Sequence, residues 1–332
     1  MKSMQRAAAN AVVRIAAVAL IVTVSCAVPA QTADRSLHIG ILSSGSLENR
    51  SSLEDATVEG LRERGYVEGK NLIIERRYSS SKLKENADQL AGMGLDAIMT
   101  TCTPSTRIMK EATAATPIVM AAVSDPVRQG IISSLAKPGR NVTGTSSEAE
   151  DLLPKRLELL ALVVPKSTPV AVLLNAANPV HALGWQRLVV AAQGMGIKLI
   201  KVELKGSDEL NTAMETASRA QAAALFVMPD DPLMFNLRPQ IVETAKKYRM
   251  PDVYWAREFV ESGGLMSYGE SLPSSYRATA AYIDKIKKGV SPGDLPVAQP
   301  TKFELVLNAK TAAALGLTIQ QSLLLRADDV IQ

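Results

Sequence analysis

Histidine and cysteine are the scarcest reactive residues: the 332-residue chain has two of each. His38 sits inside an apolar run and His181 follows Asn178-Pro179, neither beside a serine–acid pair or a spacing that would ligate zinc. His38 is expected as a packed strand residue and His181 at a cleft rim or on the surface. There is no P-loop, no GxGxxG after a strand and no CxxC. No metal, no cofactor and no catalytic residue is therefore expected. Aromatics make up only 4% of the chain, and no basic stripe with interleaved aromatics suggests nucleic acid.

Acidic residues are also missing from the first 33 positions, which carry Lys2, Arg6 and Arg14 before an uncharged apolar stretch ending in "SCAVPA" at Ala30. A basic start, a short apolar run and small residues before a cut describe an export signal, with cleavage expected near Ala30. Lipidation at Cys26 is the alternative, disfavoured by Thr23 three places before it. The apolar run falls short of the ~20 residues that span a bilayer. Of the net charge of +4, three units belong to this segment, so the high isoelectric point largely reflects export. Beyond it Cys102 is the one remaining cysteine, and stability must come from burial. The roughly 300 residues left exceed what one core usually takes, which predicts two lobes.

Those residues alternate short apolar runs with helical stripes. "LHIGILSS", "NLIIERRY", "DAIMTT" and "PIVMAAV" read as buried strands, separated by helices marked by Leu53, Ala56 and Leu61, then by Leu83, Ala87 and Leu90. After the polar stretch 139–150 a second series follows, with strands "PVAVLLN", "KLIKVEL", "AALFVMP" and "DVYWA" between helices over 151–164, 180–196, 208–222 and 233–249. The pattern predicts an α/β protein with two doubly wound, parallel-sheet lobes.

Four strand ends carry a small polar residue followed by proline: Thr103-Pro104, Asp125-Pro126, Asn178-Pro179 and Asp231-Pro232. Each is a good helix start, since the side chain caps and proline has no N–H to lose. In open α/β sheets such turns lie where ligands bind, and the positive end of a helix suits a carboxylate. "MTTCTPSTRIMK" (99–110) then poses a choice between a Cys102 nucleophile and a passive cradle, and the absence of a histidine partner favours the cradle.

Seven stretches, among them "RERGYVEGKNLIIERRYS", "DPVRQGIISSLAKPGRNVTG", "NAANPVHAL", "REFVESGGLMSYG" and "LLLRADDVI", make the chain resemble the tryptophan/tyrosine-type substrate-binding proteins of ABC transporters over about 37–331. The resemblance implies a type I periplasmic-binding fold: lobe 1 over 36–147 plus about 270–302, lobe 2 over 148–269 plus about 303–332, and three crossings. It implies a periplasmic protein, with a monomer as the default expectation, that captures an amino acid or similar carboxylate and hands it to an inner-membrane permease. Service to a membrane receptor, or an exported enzyme using Cys102 or Asp230, are the alternatives.

Carried onto this sequence, the resemblance places Ser44, Ser46, Thr101, Cys102, Thr103, Ser105 and Asp125 in the first lobe's wall. It places Asn178, Asp230, Tyr254, Trp255, Arg257 and Glu258 in the second's. The expected roles are a carboxylate on Thr103, Ser105 and their helix start, with Ser44 and Ser46 assisting. Asn178, Asp230 and Glu258 would hold the cationic end, and Tyr254 or Trp255 would stack on the body. Arg257 is expected as a second carboxylate partner or as a salt-bridge residue, and Asp125 as a cap or a ligand contact.

Overall fold

A computed structural model describes residues 36–44, 52–79, 81–165 and 167–332. The export segment and Ser46 lie outside the described residues.

The first series runs β1 (Leu37–Ser43), α1 (Ser52–Arg62), β2 (Leu72–Tyr78), α2 (Leu83–Ala91), β3 (Ala97–Thr100), α3 (Thr103–Ala112), β4 (Ile118–Ser124) and β5 (Val142–Ser147). Its strands form a parallel sheet in the order β2-β1-β3-β4-β5. β1, β3 and β4 are sequestered along almost their whole length, which is why they read as unbroken apolar runs. β5 is "VTGTSS", a polar sequence buried at every position. Periodicity cannot reveal a strand whose hydroxyls are satisfied internally: Thr143 Oγ1 donates to the Leu295 carbonyl at 2.7 Å, and Thr145 Oγ1 accepts from the Ala122 N–H at 2.9 Å.

The second series runs α4 (Leu153–Ala161), β6 (Val170–Asn175), α5 (Pro179–Met195), β7 (Leu199–Leu204), α6 (Leu210–Arg219), β8 (Ala224–Val227), α7 (Pro232–Asn236), α8 (Arg238–Lys247), β9 (Asp252–Tyr254), α9 (Arg257–Glu261) and β10 (Met266–Gly269). The single helix expected over 233–249 is two, broken at Leu237 ahead of Arg238-Pro239, because proline cannot continue the preceding ladder. The chain then forms α10 (Leu272–Lys287), β11 (Glu304–Asn308), α11 (Ala309–Leu315), α12 (Gln321–Leu324) and β12 (Asp329–Ile331). The second sheet has the order β12-β11-β10-β9-β8-β6-β7, parallel except between β10 and β11. This is the two-lobed doubly wound architecture that the alternation predicts.

The chain passes between the sheets three times: after β5, after β10, and again on the way to β11. The middle excursion places α10 on α1 of the first lobe. Gly60 permits that approach, since a Cβ there would meet the Arg277 carbonyl at 2.8 Å and Ala280 Cβ at 2.9 Å. Thr57 Oγ1 seals the contact by donating to the Tyr276 carbonyl at 2.9 Å. On the second lobe's side, the fully buried Arg156 donates to the carbonyls of Tyr268 (2.7 Å) and Ala149 (2.6 Å), so one side chain holds two of the connections.

Strand order identifies where each lobe opens. In the first sheet the chain moves outward from β1 to β2 and then restarts on the other side at β3. In the second it moves from β6 to β7 and restarts at β8. A crevice forms at each such reversal, outside the carboxyl ends of the strands.

Candidate functional site

The first lobe's reversal brings Ser44, after β1, against Cys102, after β3, with Oγ and Sγ 3.3 Å apart. Thr101 Oγ1 donates to Ser43 Oγ at 3.0 Å across the same crevice. α3 begins differently from the expected Thr103 cap. Cys102 is the extended cap residue, Thr103 and Pro104 are the first two helical positions, and Ser105 folds back. Ser105 Oγ accepts from the Cys102 N–H (3.2 Å) and donates to its carbonyl (3.0 Å). Completely buried and spent on the helix start, Ser105 does not face the cleft. Burial pushes the Cys102 thiol pKa up, the hydroxyls of Ser105 and Ser44 opposing. It is thus a neutral thiol rather than an activated nucleophile.

The second lobe's reversal is joined by acids and amides. Asp231 caps α7 by accepting from the Met234 N–H at 3.1 Å. Its other oxygen accepts from Asn178 Nδ2 (2.9 Å) and Asn175 Nδ2 (3.0 Å). Asn178 in turn caps α5 through the Val180 N–H at 3.1 Å. Both are caps first, and their capacity is mostly used within the lobe. Asp125-Pro126 starts no helix at all; Asp125 closes a turn on the Arg128 N–H (3.1 Å) and pairs with its guanidinium at 2.9 Å.

The walls meet at Asp230. Its backbone is left-handed (φ 58°), and its carboxylate crosses the gap to accept from Thr103 Oγ1 at 3.2 Å. The main chain of Ser124 adds a second contact from the first lobe. Burial raises the Asp230 pKa well above the carboxylate range, and repulsion from Glu150 adds to it. Around this contact lies a small cavity, narrowed by the approach of the two walls. Thr101, Cys102 and Ala122 line it from one lobe, Asp230, Asp231 and Trp255 from the other. Its outer part is bordered by Ser44 and Pro104 on one side and Asn178 on the other, so the helix starts of both lobes share one cleft.

Trp255 reaches the cavity while 5% exposed, backed by Phe259 at 4.6 Å between ring centroids. Its neighbour Tyr254, the last residue of β9, packs on the same Phe259 but does not line the cavity. Tyr254 is wholly buried, stacked on Phe259 at 4.4 Å, with its hydroxyl donating to Asp252 at 2.8 Å. Arg257 is a salt-bridge residue, not a cleft residue: it binds Glu261, Glu304 and Asp329 at 3.0, 3.1 and 2.7 Å, tying α9 to β11 and β12. Glu258 lies on α9 among Arg238, Glu261 and Glu304, its pKa raised by burial, and does not line the cleft. The expected second-lobe wall therefore contracts to Asp230 and Trp255 in the cavity and Asn178 at its outer edge. His181, expected at the rim or surface, is 1% exposed and packed beneath that wall, and His38 is only half-buried.

Sequence reasoning missed Glu54, Tyr78, Phe235 and Tyr276, all of which line the cavity. Tyr78 donates to the Glu54 carboxylate, and Tyr276 donates to the Thr101 carbonyl at 3.2 Å. Glu54 gave one usable signal, an acid in the first turn of an otherwise apolar helix face.

Residues 39–331 match the family model described as ABC transporter substrate binding protein. This chain belongs to that family. It is 28% identical over 287 residues to the tyrosine-binding protein of Clostridioides difficile strain R20291, covering 84% of this chain and 81% of that one. It is 27% identical to an ABC-domain structure from Streptococcus pneumonia in complex with L-Trp, with a TM-score of 0.80 over 89% of this chain and all of that one (100%). A ligand-free, open substrate-binding protein with adhesive properties from Clostridium difficile is also 27% identical over 89% of this chain and 99% of its own, but its TM-score is 0.60. At equal identity the chain superposes better on the tryptophan complex, in keeping with the Thr103–Asp230 contact across a narrow gap. The fold is the type I periplasmic-binding fold, and among the described residues no helix is long and apolar enough to cross a membrane.

Proposed function

We propose that this chain is an exported, monomeric binding protein that captures an aromatic amino acid, or a close relative, and presents the closed form to an ABC permease. The lobes would divide at 147/148, 269/270 and 302/303. Asp230 carries the reading, because it stands in the gap beside Trp255 with its charge penalised by burial. A ligand ammonium there would relieve that penalty. Trp255, Phe235 and Tyr276 supply faces for an apolar body, and the hydroxyls of Thr101 and Thr103 at the start of α3 suit a carboxylate. The relatives named for tyrosine and crystallised with tryptophan support the same class.

Contacts with both walls are complete only when the gap shuts, so a ligand shifts an open–closed equilibrium by its differential affinity. Micromolar affinity corresponds to about −8 kcal/mol, within reach of a few charge-assisted hydrogen bonds and one stacked ring. Calorimetric titration of the folded, ligand-free protein with an amino-acid panel tests the reading. Saturable heat with L-tryptophan or L-tyrosine is expected, and silence across the panel would overturn it.

A further inference from the structure

His181 is the buried side chain that the proposed binding chemistry leaves without a task. It stands two residues into α5 and spans the crevice between the ends of β6 and β8. Nδ1 accepts the Asn175 N–H at 2.9 Å, so the ring proton must sit on Nε2, which meets the Pro229 carbonyl at 2.9 Å. Pro229 immediately precedes Asp230, whose left-handed backbone is a conformation aspartate adopts only when its surroundings hold it. Asn178 and Asp231 secure the far side of this turn, and His181 secures the near side.

We propose that His181 is a positioning residue: its neutral Nε2–H imidazole pins the Pro229 carbonyl so that the Asp230 carboxylate projects across the cleft onto Thr103. The inference rests on reading Asp230 as the cross-cleft binding contact. A second proton would set an N–H donor against the Asn175 N–H and break the pin. Asp231 faces the imidazole and favours that proton, while burial disfavours it more strongly and lowers the pKa. Glu150 and Arg187 lie behind Asp230, with 3.8 Å between them. Binding should therefore hold while the ring is neutral and weaken as pH falls through its lowered pKa.

Two measurements test this. Imidazole nitrogen NMR on the ligand-free full chain should show His181 as the Nε2–H tautomer, still neutral at pH values where imidazole free in solution has begun to protonate. An Nδ1–H tautomer, or titration in step with free imidazole, would overturn the proposal. Calorimetry with L-tryptophan as probe then separates the two ring nitrogens. His181→Gln keeps a donor near Nε2 and should stay within about threefold of wild type, whereas His181→Asn keeps only an acceptor near Nδ1 and should lose about tenfold. Equal losses in the two variants would make His181 a packing residue only. If the Asn variant does not fold, the Gln variant and the NMR decide. A wild-type protein that binds neither tryptophan nor tyrosine counts against the proposed function, and the tautomer measurement still decides whether the pin exists.

Discussion

The two lobes solve the same topological problem with different chemistry. At the first reversal the partners are hydroxyls and a thiol, each satisfied by a neighbour within the lobe: Ser44 with Cys102, Thr101 with Ser43, Ser105 with the Cys102 backbone. At the second they are carboxylates, amides and a histidine, knit into one network that leaves Asp230 projecting outward. A wall of hydroxyls and a helix start, to which α1 adds Glu54, and a wall with Asp230 and an aromatic would suit the amino acid proposed above.

Removing the charge of the acidic wall is the strongest way to break this comparison. Asp230→Asn should weaken L-tryptophan binding a hundredfold or more, about 3 kcal/mol, if it pairs with an ammonium. Unchanged calorimetric affinity would move the polar contact elsewhere.

Glu150 sharpens the comparison through stability. Burial raises its pKa from the ordinary 4.5 to about 7, Arg187 opposing. The folded state thus holds this proton more tightly than the unfolded state does. The stabilising contribution is complete below pH 4.5 and is lost as pH rises through about 7. Glu150→Gln should remove on the order of 2 to 3 kcal/mol of pH dependence across that window, read as a flatter plot of denaturation midpoint against pH. Asp252, also raised to about 7 by burial, acts with the same sign, so the difference between wild type and variant is the quantity to compare.

Smaller effects belong to the stacking face and the hydroxyl wall. Trp255→Phe should cost about 1 kcal/mol of binding and abolish most ligand-induced fluorescence change, leaving Trp185 as the remaining indole. An undiminished signal would take Trp255 out of the site. Thr103→Val removes the hydroxyl that meets Asp230 and should weaken binding about fivefold, near 1 kcal/mol. Arg257→Gln should leave affinity within about twofold, because surface ion pairs contribute mainly to local stability.

Much of the architecture was legible because buried parallel strands have a simple signature. β1, β3 and β4 appear as apolar runs, and strand ends followed by proline mark the turns at Asn178 and Asp231. What escaped was set by direction, not composition. Tyr254 and Trp255 are adjacent and chemically alike, yet one faces the core and the other the cleft. Asp125-Pro126 has the same dipeptide as Asp231-Pro232, but the chain after it turns back before a helix can form. Glu54 was legible only as an acid in a helix's first turn, which reads equally as ordinary pairing with the helix dipole. Ser105 shows that a hydroxyl at a helix start can be consumed by its own backbone.

Arg156 has a further consequence for how the two halves move. Because it fastens the Ala149 and Tyr268 carbonyls to α4, two of the three connectors travel with the second lobe as a single rigid arm. If the lobes open as proposed, the torsion would fall nearer the first lobe, around 147–148 and 270–271. Trp255 and Asp230 belong to that same arm, so under the proposed closure the flat ring and the charge would reach a captured molecule together.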